Sequence, residues 1–234
     1  MANNQNQKFE TEISAGKMQE LQGKPCITIG LGSSIFNKKR GLADLINKYS
    51  NFNKLSFTPA FWQGVGGARV TKVQKSFLEI ITNISQIDGC KSQIIFLYLG
   101  GNDFAHEFCN PEQFRNDYLN FVKSILEIAG TKIVVCSILP RGFNPRFPKN
   151  NTDMFQGCYI LENLCASLEH TGRVMFLNLL NNIGRVIYTR NKPSLVPLHK
   201  SLLFDNTHLS FQGNIELAKN FVHAFNKLPS KWTQ

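Results

Sequence analysis

From about residue 25 onward, short apolar runs alternate with longer stretches in which apolar residues recur every three or four positions. The runs predict buried strands near 26–30, 55–61, 93–99, 132–137 and 174–177. The periodic stretches predict helices at about 41–49, 70–86, 111–128, 153–169 and 211–227. The third helix carries its own punctuation: Asn110 as N-cap, Pro111 at the first position, Glu112 and Gln113 in the first turn, and Gly130 beyond the end. Its stripe of Phe114, Tyr118, Phe121, Val122 and Ile125 reads as core packing. So does Ile215, Ala218, Phe221, Val222 and Phe225 on the last helix.

Strands alternating with helices, without an internal repeat or a second compositional block, predict one three-layer α/β/α sandwich on a five-stranded parallel sheet, spanning residues 25–230. Residues 1–24 are rich in Asn, Gln, Glu and Lys without a period and read as a flexible N-terminal tail or frayed helix outside the core. Sheets of this kind bind ligands beyond the carboxyl ends of their strands. The residues that follow strands one to three are therefore the first place to look for chemistry.

Composition narrows the picture without redirecting it. The 234 residues, 42% hydrophobic and 18% charged with 19 Phe, suffice for a sizeable core. A net charge of +10 favours acidic partners and is silent about fold. The six cysteines form no C-x-x-C pair, so they read as buried thiols, with no zinc site or disulfide framework. No apolar stretch reaches the roughly 18–20 residues of a membrane span, and the first residues have no signal-peptide core. The expected location is reducing, cytoplasmic or nuclear.

Four segments could carry chemistry. Gly30-Leu31-Gly32-Ser33-Ser34 reads as a tight glycine-bearing turn after strand one; Gly64-Val65-Gly66-Gly67-Ala68-Arg69 follows strand two; Leu99-Gly100-Gly101-Asn102-Asp103 follows strand three; Asp205-Asn206-Thr207-His208 precedes the last helix. Alone, each has a plain structural reading as a turn, a helix cap or a chance spacing. Together they fit nucleophilic catalysis. A serine hydroxyl needs an imidazole to take its proton, and the imidazole needs a carboxylate to fix its tautomer. Asp205 is spaced to serve His208 in that way, and the amides of Ser34 and Gly67 with the Asn102 side chain would give an oxyanion three donors.

This order of blocks resembles the SGNH (GDSL-type) hydrolase superfamily over residues 25 to about 215. Gly-Gly-Ala-Arg-Val, Leu-Gly-Gly-Asn-Asp, the Ile-Leu-Pro-Arg run ending at Arg141, and His-Leu-Ser with Gly213 are closest in style to the animal and retroelement-associated members. The resemblance implies a flavodoxin-like α/β/α fold, Ser34 as nucleophile, Asp205 and His208 completing a triad, and Gly67 and Asn102 as oxyanion donors. It implies hydrolysis of an acyl ester, acetyl or lipid, through an acyl-serine, with no metal and no cofactor. Ser33 stands where the family usually has Asp, a residue that orders the turn and is not the triad acid. Ser33 is thereby set among the supporting or substrate-binding residues with Asp103, Arg69 and Arg141, Asp103 being expected to hold Asn102 in place. Two alternatives stay open: Ser33 as the nucleophile, and a degenerate member that keeps only the fold and binds RNA or another anionic partner.

The second alternative draws on basic residues expected at the same edge: Lys38, Lys39, Arg40, Arg69, Lys72, Arg141, Arg146 and Lys149. The 140–149 loop interleaves aromatics with cations, which suits a lid over an anionic substrate or a surface for phosphate and stacked bases. Equally, its cations are solvated and its Phe rings pack beneath the loop. His106 reads as a capping or hydrogen-bonding residue near the third block, and His170, His199 and His223 as surface or helix-end residues.

Overall fold

The computed structural model describes residues 14–36, 41–52, 61–105, 109–142, 150–180, 183, 186–189 and 192–233. Strand β1 (Cys26–Ser33) is buried at seven of its eight positions, as a strand with a neighbour on each side and cover on both faces must be. Around it lie β2 (Phe61–Val65), β3 (Ser92–Tyr98), β4 (Thr131–Cys136) and β5 (Val174–Leu177). All pair in parallel, in the order β2-β1-β3-β4-β5. The chain reverses its direction of travel across the sheet between β1 and β3, so the crevice that parallel sheets offer to ligands opens there.

The flanking helices are α1 (Ala15–Leu21), α2 (Leu42–Phe52), α3 (Val70–Ser85), α4 (Pro111–Leu126), α5 (Asn150–Ser167), α6 (Phe211–Phe225) and α7 (Ser230–Thr233). α2 packs on α6, and α3, α4 and α5 pack in series. The punctuation of α4 is as predicted: the Asn110 Oδ1 accepts from the Glu112 and Gln113 amides, and the five predicted stripe residues are its buried ones. On α6, Ile215 is half-buried and Leu217 and Ala224 are buried as well.

Three expectations are corrected. Strand two lies at 61–65, so only Phe61 of the predicted 55–61 run is strand, and residues 53–60 lie outside the described residues. Gln63 and Gly64 hide this edge strand from a search for apolar runs, and of its residues only Val65 is buried. Second, Gly30 and Gly32 make no turn, because β1 runs straight through them. A Cβ on Gly30 would stand 2.1 Å from the Trp62 ring, and one on Gly32 would stand 2.6 Å from the Tyr98 carbonyl oxygen. These glycines answer to close approach by neighbouring strands. Third, the tail reading fails for its last part: Ser14 caps α1, and Leu21 is fully buried in the core. Residues 1–13 lie outside the described residues.

An antiparallel hairpin of β6 (Val186–Thr189) and β7 (Lys192–Leu195), absent from the sequence reading, packs against α5. Cys136, Cys158 and Cys165 are buried thiols; Cys26, Cys90 and Cys109 are half-buried. Among the described residues no helix is long and apolar enough to cross a membrane.

Candidate active site

Ser34 opens a single 3₁₀ turn, Ser34–Phe36, at the carboxyl end of β1. The turn is pinned by Phe36, which is buried against Trp62 of β2, Tyr98 of β3 and Phe221 of α6, at ring-centroid distances of 4.7, 5.5 and 5.6 Å. Three elements thus fix the backbone two residues from the hydroxyl. Ser33 is buried at the strand end, and Ser34 is half-buried at the mouth of a pocket.

The loop before α6 folds back on itself. Leu203 and Leu209 form an antiparallel bridge, the Phe204 amide donates to the His208 carbonyl at 2.8 Å, and the Ser210 amide donates to the Leu202 carbonyl at 2.9 Å. At its tip the Asp205 Oδ1 accepts from the amides of Thr207 and His208, both at 2.7 Å. A short acidic side chain that hydrogen-bonds backbone two and three residues ahead makes a turn of its own. Ser210 caps α6 through the Gly213 amide and donates to the Ser201 carbonyl. Gly213 has no room for a side chain: a Cβ there would lie 2.2 Å from the Leu202 carbonyl oxygen.

This loop delivers His208 to Ser34. The Asp205 Oδ2 lies 2.6 Å from His208 Nδ1, and His208 Nε2 lies 3.1 Å from the Ser34 Oγ. A carboxylate facing Nδ1 keeps the proton there and leaves Nε2 as the acceptor, the tautomer a general base requires. Burial opposes ionisation of Asp205, but hydrogen bonds from the His208 ring and from the His208 and Thr207 amides outweigh it, and the carboxyl titrates below its ordinary value.

Across the pocket, Asn102 Nδ2 donates to the Ala68 carbonyl at 3.0 Å, and Asn102 Oδ1 accepts from an Arg141 Nη2 at 2.9 Å. The network therefore assigns the amide's orientation: its NH2 faces the Gly66–Gly67 turn, and its oxygen faces the cation. Gly67 is exposed with φ 66°, and a Cβ there would meet nothing within 4 Å, so left-handed backbone conformation, not space, is what selects glycine. The pocket between the two sides is lined by Ser34, Asn102, Arg141, Leu198, Thr207 and Leu209, among others. Among the described residues no three metal-ligating side chains converge.

Asp103 does not hold Asn102. Its Oδ1 accepts from the Val70 amide at 3.2 Å, tying the third block to the start of α3, while its Oδ2 is buried with no hydrogen-bond partner among the described residues. Burial raises its carboxyl to about 6, against the bonds from Val70 and its own amide and the charge of Arg69. Arg69 occupies the N-cap position of α3 and does not line the pocket; Lys72 is exposed on that helix. Arg141 turns inward, and burial pulls its guanidinium below the ordinary value, with Tyr98 and Asp205 acting the other way. Lys38, Lys39, Arg40, His106, Arg146 and Lys149 lie outside the described residues. His170, His199 and His223 are exposed: His170 meets the Ser167 carbonyl, His199 caps a 3₁₀ turn, and His223 lies in the last turn of α6.

Two residues at this site carried no usable sequence signal. Asn151 brackets the Arg141 backbone, accepting from its amide at 2.9 Å and donating to its carbonyl at 3.1 Å. Thr207 lines the pocket from within the Asp205 turn.

Known proteins share this architecture. A GDSL-like lipase from Bacteroides thetaiotaomicron superposes with a TM-score of 0.61 at 15% identity, covering 92% of this chain and 96% of that one. The lipase/acylhydrolase from Enterococcus faecalis gives 0.60 at 16% identity, with 87% and 97% covered. A psychrotrophic esterase from Pseudoalteromonas sp. gives 0.57 at 12% identity, with 86% and 97% covered. At these identities the likeness speaks for the fold alone. No curated protein sequence matches the chain. The model of the GDSL-like lipase/acylhydrolase family, however, matches residues 28–221, from β1 to within α6 and including all four chemistry-bearing blocks. The chain belongs to the GDSL-like lipase/acylhydrolase family.

Proposed function

We propose that the protein hydrolyses an acyl ester through an acyl-serine intermediate, with Ser34 as nucleophile, His208 as general base and Asp205 as the acid that orients it. The observation that carries this reading is the unbroken chain from Ser34 Oγ through His208 to Asp205, at 3.1 and 2.6 Å. His208 Nε2 takes the Ser34 proton as Oγ bonds to the ester carbonyl carbon. The negative charge moves to the carbonyl oxygen, where the Ser34 and Gly67 amides and the second Asn102 N–H serve as donors. Collapse expels the alcohol, which leaves with the proton from His208. A water activated by the same nitrogen then releases the acid and restores Ser34. What supports Ser34 over Ser33 is the contact with His208, set against the burial of Ser33 in the strand end.

Ile35, Leu139, Leu198 and Leu209 give the pocket apolar walls for the acyl part, acetyl or the end of a lipid chain. Unpaired thiols at all six cysteines are in keeping with a reducing, cytoplasmic location, and the motif style is in keeping with the animal and retroelement-associated members. Among the described basic residues that suggested RNA binding, Arg141 is turned into the pocket and Arg69 sits at the N-cap position of α3, which leaves only Lys72 of them, exposed on that helix.

Fluorophosphonate labelling tests the reading. The wild type should be labelled and should hydrolyse nitrophenyl acetate, Ser33→Ala should retain both, and Ser34→Ala should lose both. A wild type that takes no label, or a Ser34→Ala variant that still does, overturns it.

A further inference from the structure

We infer that Arg141, braced by Asn151, is a positioning residue that fixes and polarises the Asn102 amide and so sets how strongly that amide donates to the oxyanion. The inference rests on the reading of Asn102 as an oxyanion donor and extends it to two residues outside the triad and its donors.

One guanidinium nitrogen of Arg141 donates both to Asn102 Oδ1, at 2.9 Å, and to the Gly101 carbonyl, at 3.0 Å. It therefore holds the side chain and the backbone of the third block together. Asn102 Nδ2 spends one proton on the Ala68 carbonyl at 3.0 Å. Among the described residues its other proton has no acceptor, and Asn102 and Ser34 both line the pocket. An amide whose oxygen accepts from a cation draws electron density away from its nitrogen, and the remaining N–H becomes a stronger donor. That gain is largest where the acceptor carries full negative charge, in the tetrahedral intermediate, so it acts on turnover more than on substrate binding.

The brace is as specific as the contact. Asn151, itself buried, grips the Arg141 backbone from both sides, at 2.9 and 3.1 Å. The Leu198 amide adds a third bond, to the Arg141 carbonyl at 3.3 Å. The next residue reaches the other half of the site: the Gly142 amide donates to the Asn206 carbonyl at 2.9 Å, within the loop that carries Asp205 and His208. A Cβ on Gly142 would approach Leu203 to 2.9 Å and Asn206 to 3.2 Å. The run after β4 thus touches the oxyanion side through a side chain and the proton-transfer side through backbone. Lysine would keep the charge at Asn102 but not the geometry of the guanidinium.

The test is a double-mutant cycle on nitrophenyl acetate hydrolysis, paired with NMR of the Asn102 side-chain amide. Arg141→Met should lower kcat about ten- to a hundred-fold while KM stays within about twofold. Asn102→Ala should cost about a hundred- to a thousand-fold, and adding Arg141→Met to it should cost no more than about a further threefold. Arg141→Lys should fall between wild type and Arg141→Met, and it carries the test if the methionine variant melts early. In Arg141→Met the Asn102 amide proton resonances should move upfield. Equal cost of Arg141→Met with and without Asn102 overturns the inference, and so does a wild-type enzyme that turns over with Asn102 resonances unmoved by the substitution. A wild type inert to ester and fluorophosphonate sinks the hydrolase reading instead, and the resonances still report whether Arg141 polarises the amide.

Discussion

The two sides of the Ser34 hydroxyl are held by different means. Asp205 and His208 ride on an exposed loop, their side chains 46% and 23% accessible, and the loop is shaped by its own backbone bonds and by the turn that Asp205 makes with the amides ahead of it. Opposite them, Asn102 and Arg141 are fixed by side-chain bonds that reach the loop after β2, the loop after β3 and the start of α5. The difference matches the tasks proposed for them. A proton carrier has to turn between an alcohol and a leaving group, and a local turn gives it direction without embedding it. An oxyanion donor works by being in place before the charge arrives, and a packed network keeps it there. Substitutions on the loop should therefore cost activity with little stability, and substitutions at its buried roots or across the pocket should show up in folding.

The largest effect should come from the loop tip. Asp205→Asn keeps an oxygen for the Thr207 and His208 amides but can offer His208 Nδ1 an amide donor in place of a carboxylate, which favours the wrong imidazole tautomer. A fall in kcat on the order of 10⁴ is expected, with stability unchanged to within about 1 kcal/mol because the side chain is half in water. Steady-state kinetics and a urea melt on the same sample check both halves. A melt shifted by several kcal/mol would show that the loop is no local structure.

Gly213→Ala probes where that loop meets the core. Alanine in a helix is ordinarily worth up to about 1 kcal/mol over glycine. Here its Cβ would lie 2.2 Å from the Leu202 carbonyl oxygen, a backbone atom that cannot swing aside, so the clash decides the sign. A loss of about 3 kcal/mol is expected, at the upper end for overpacking, and denaturant unfolding measures it. A stabilised variant would mean that α6 and the Leu202 turn are free to separate.

Much of this was written in the apolar periodicity. The stripe of α4 and its Asn110-Pro111 start emerge as predicted because both are decided within a few residues of chain. The blocks around Ser34, Asn102 and Asp205–His208 were legible for the same reason: each is a short motif with its chemistry inside it. What escaped the sequence depends on partners far along the chain. Gly30 and Gly32 looked like a turn, because the Trp62 ring and the Tyr98 carbonyl that forbid them a side chain sit on other strands. The β2 strand was misplaced because its own residues are mostly half-exposed and broken by Gln63 and Gly64. Asp103 was assigned to its neighbour Asn102, while its partner is Val70, 33 positions away. Asn151 gave no signal at all, since an asparagine near a helix start is ordinary until Arg141 is seen beside it.

The smallest expected effect belongs to Asp103 and shows the cost of building the packed side around a carboxylate. Its folded-state value of about 6 lies above the ordinary 3.8 because burial disfavours the charge. Between those values the folded chain binds the proton more tightly than the unfolded one, so stability is fullest below about pH 4 and declines as pH rises through 6. A displacement of this size corresponds to a full swing of about 3 kcal/mol, of which about 2 kcal/mol falls between pH 4 and pH 7.5. Asp103→Asn keeps an acceptor for the Val70 amide and cannot ionise. Its amide nitrogen takes the place of Oδ2, which has no partner among the described residues, so it need not be more stable at every pH. What it must lose is the slope: denaturant melts at pH 4 and pH 7.5 should differ by about 2 kcal/mol less in the variant than in the wild type. Identical slopes would mean that Asp103 is already paired with a group that takes up its charge.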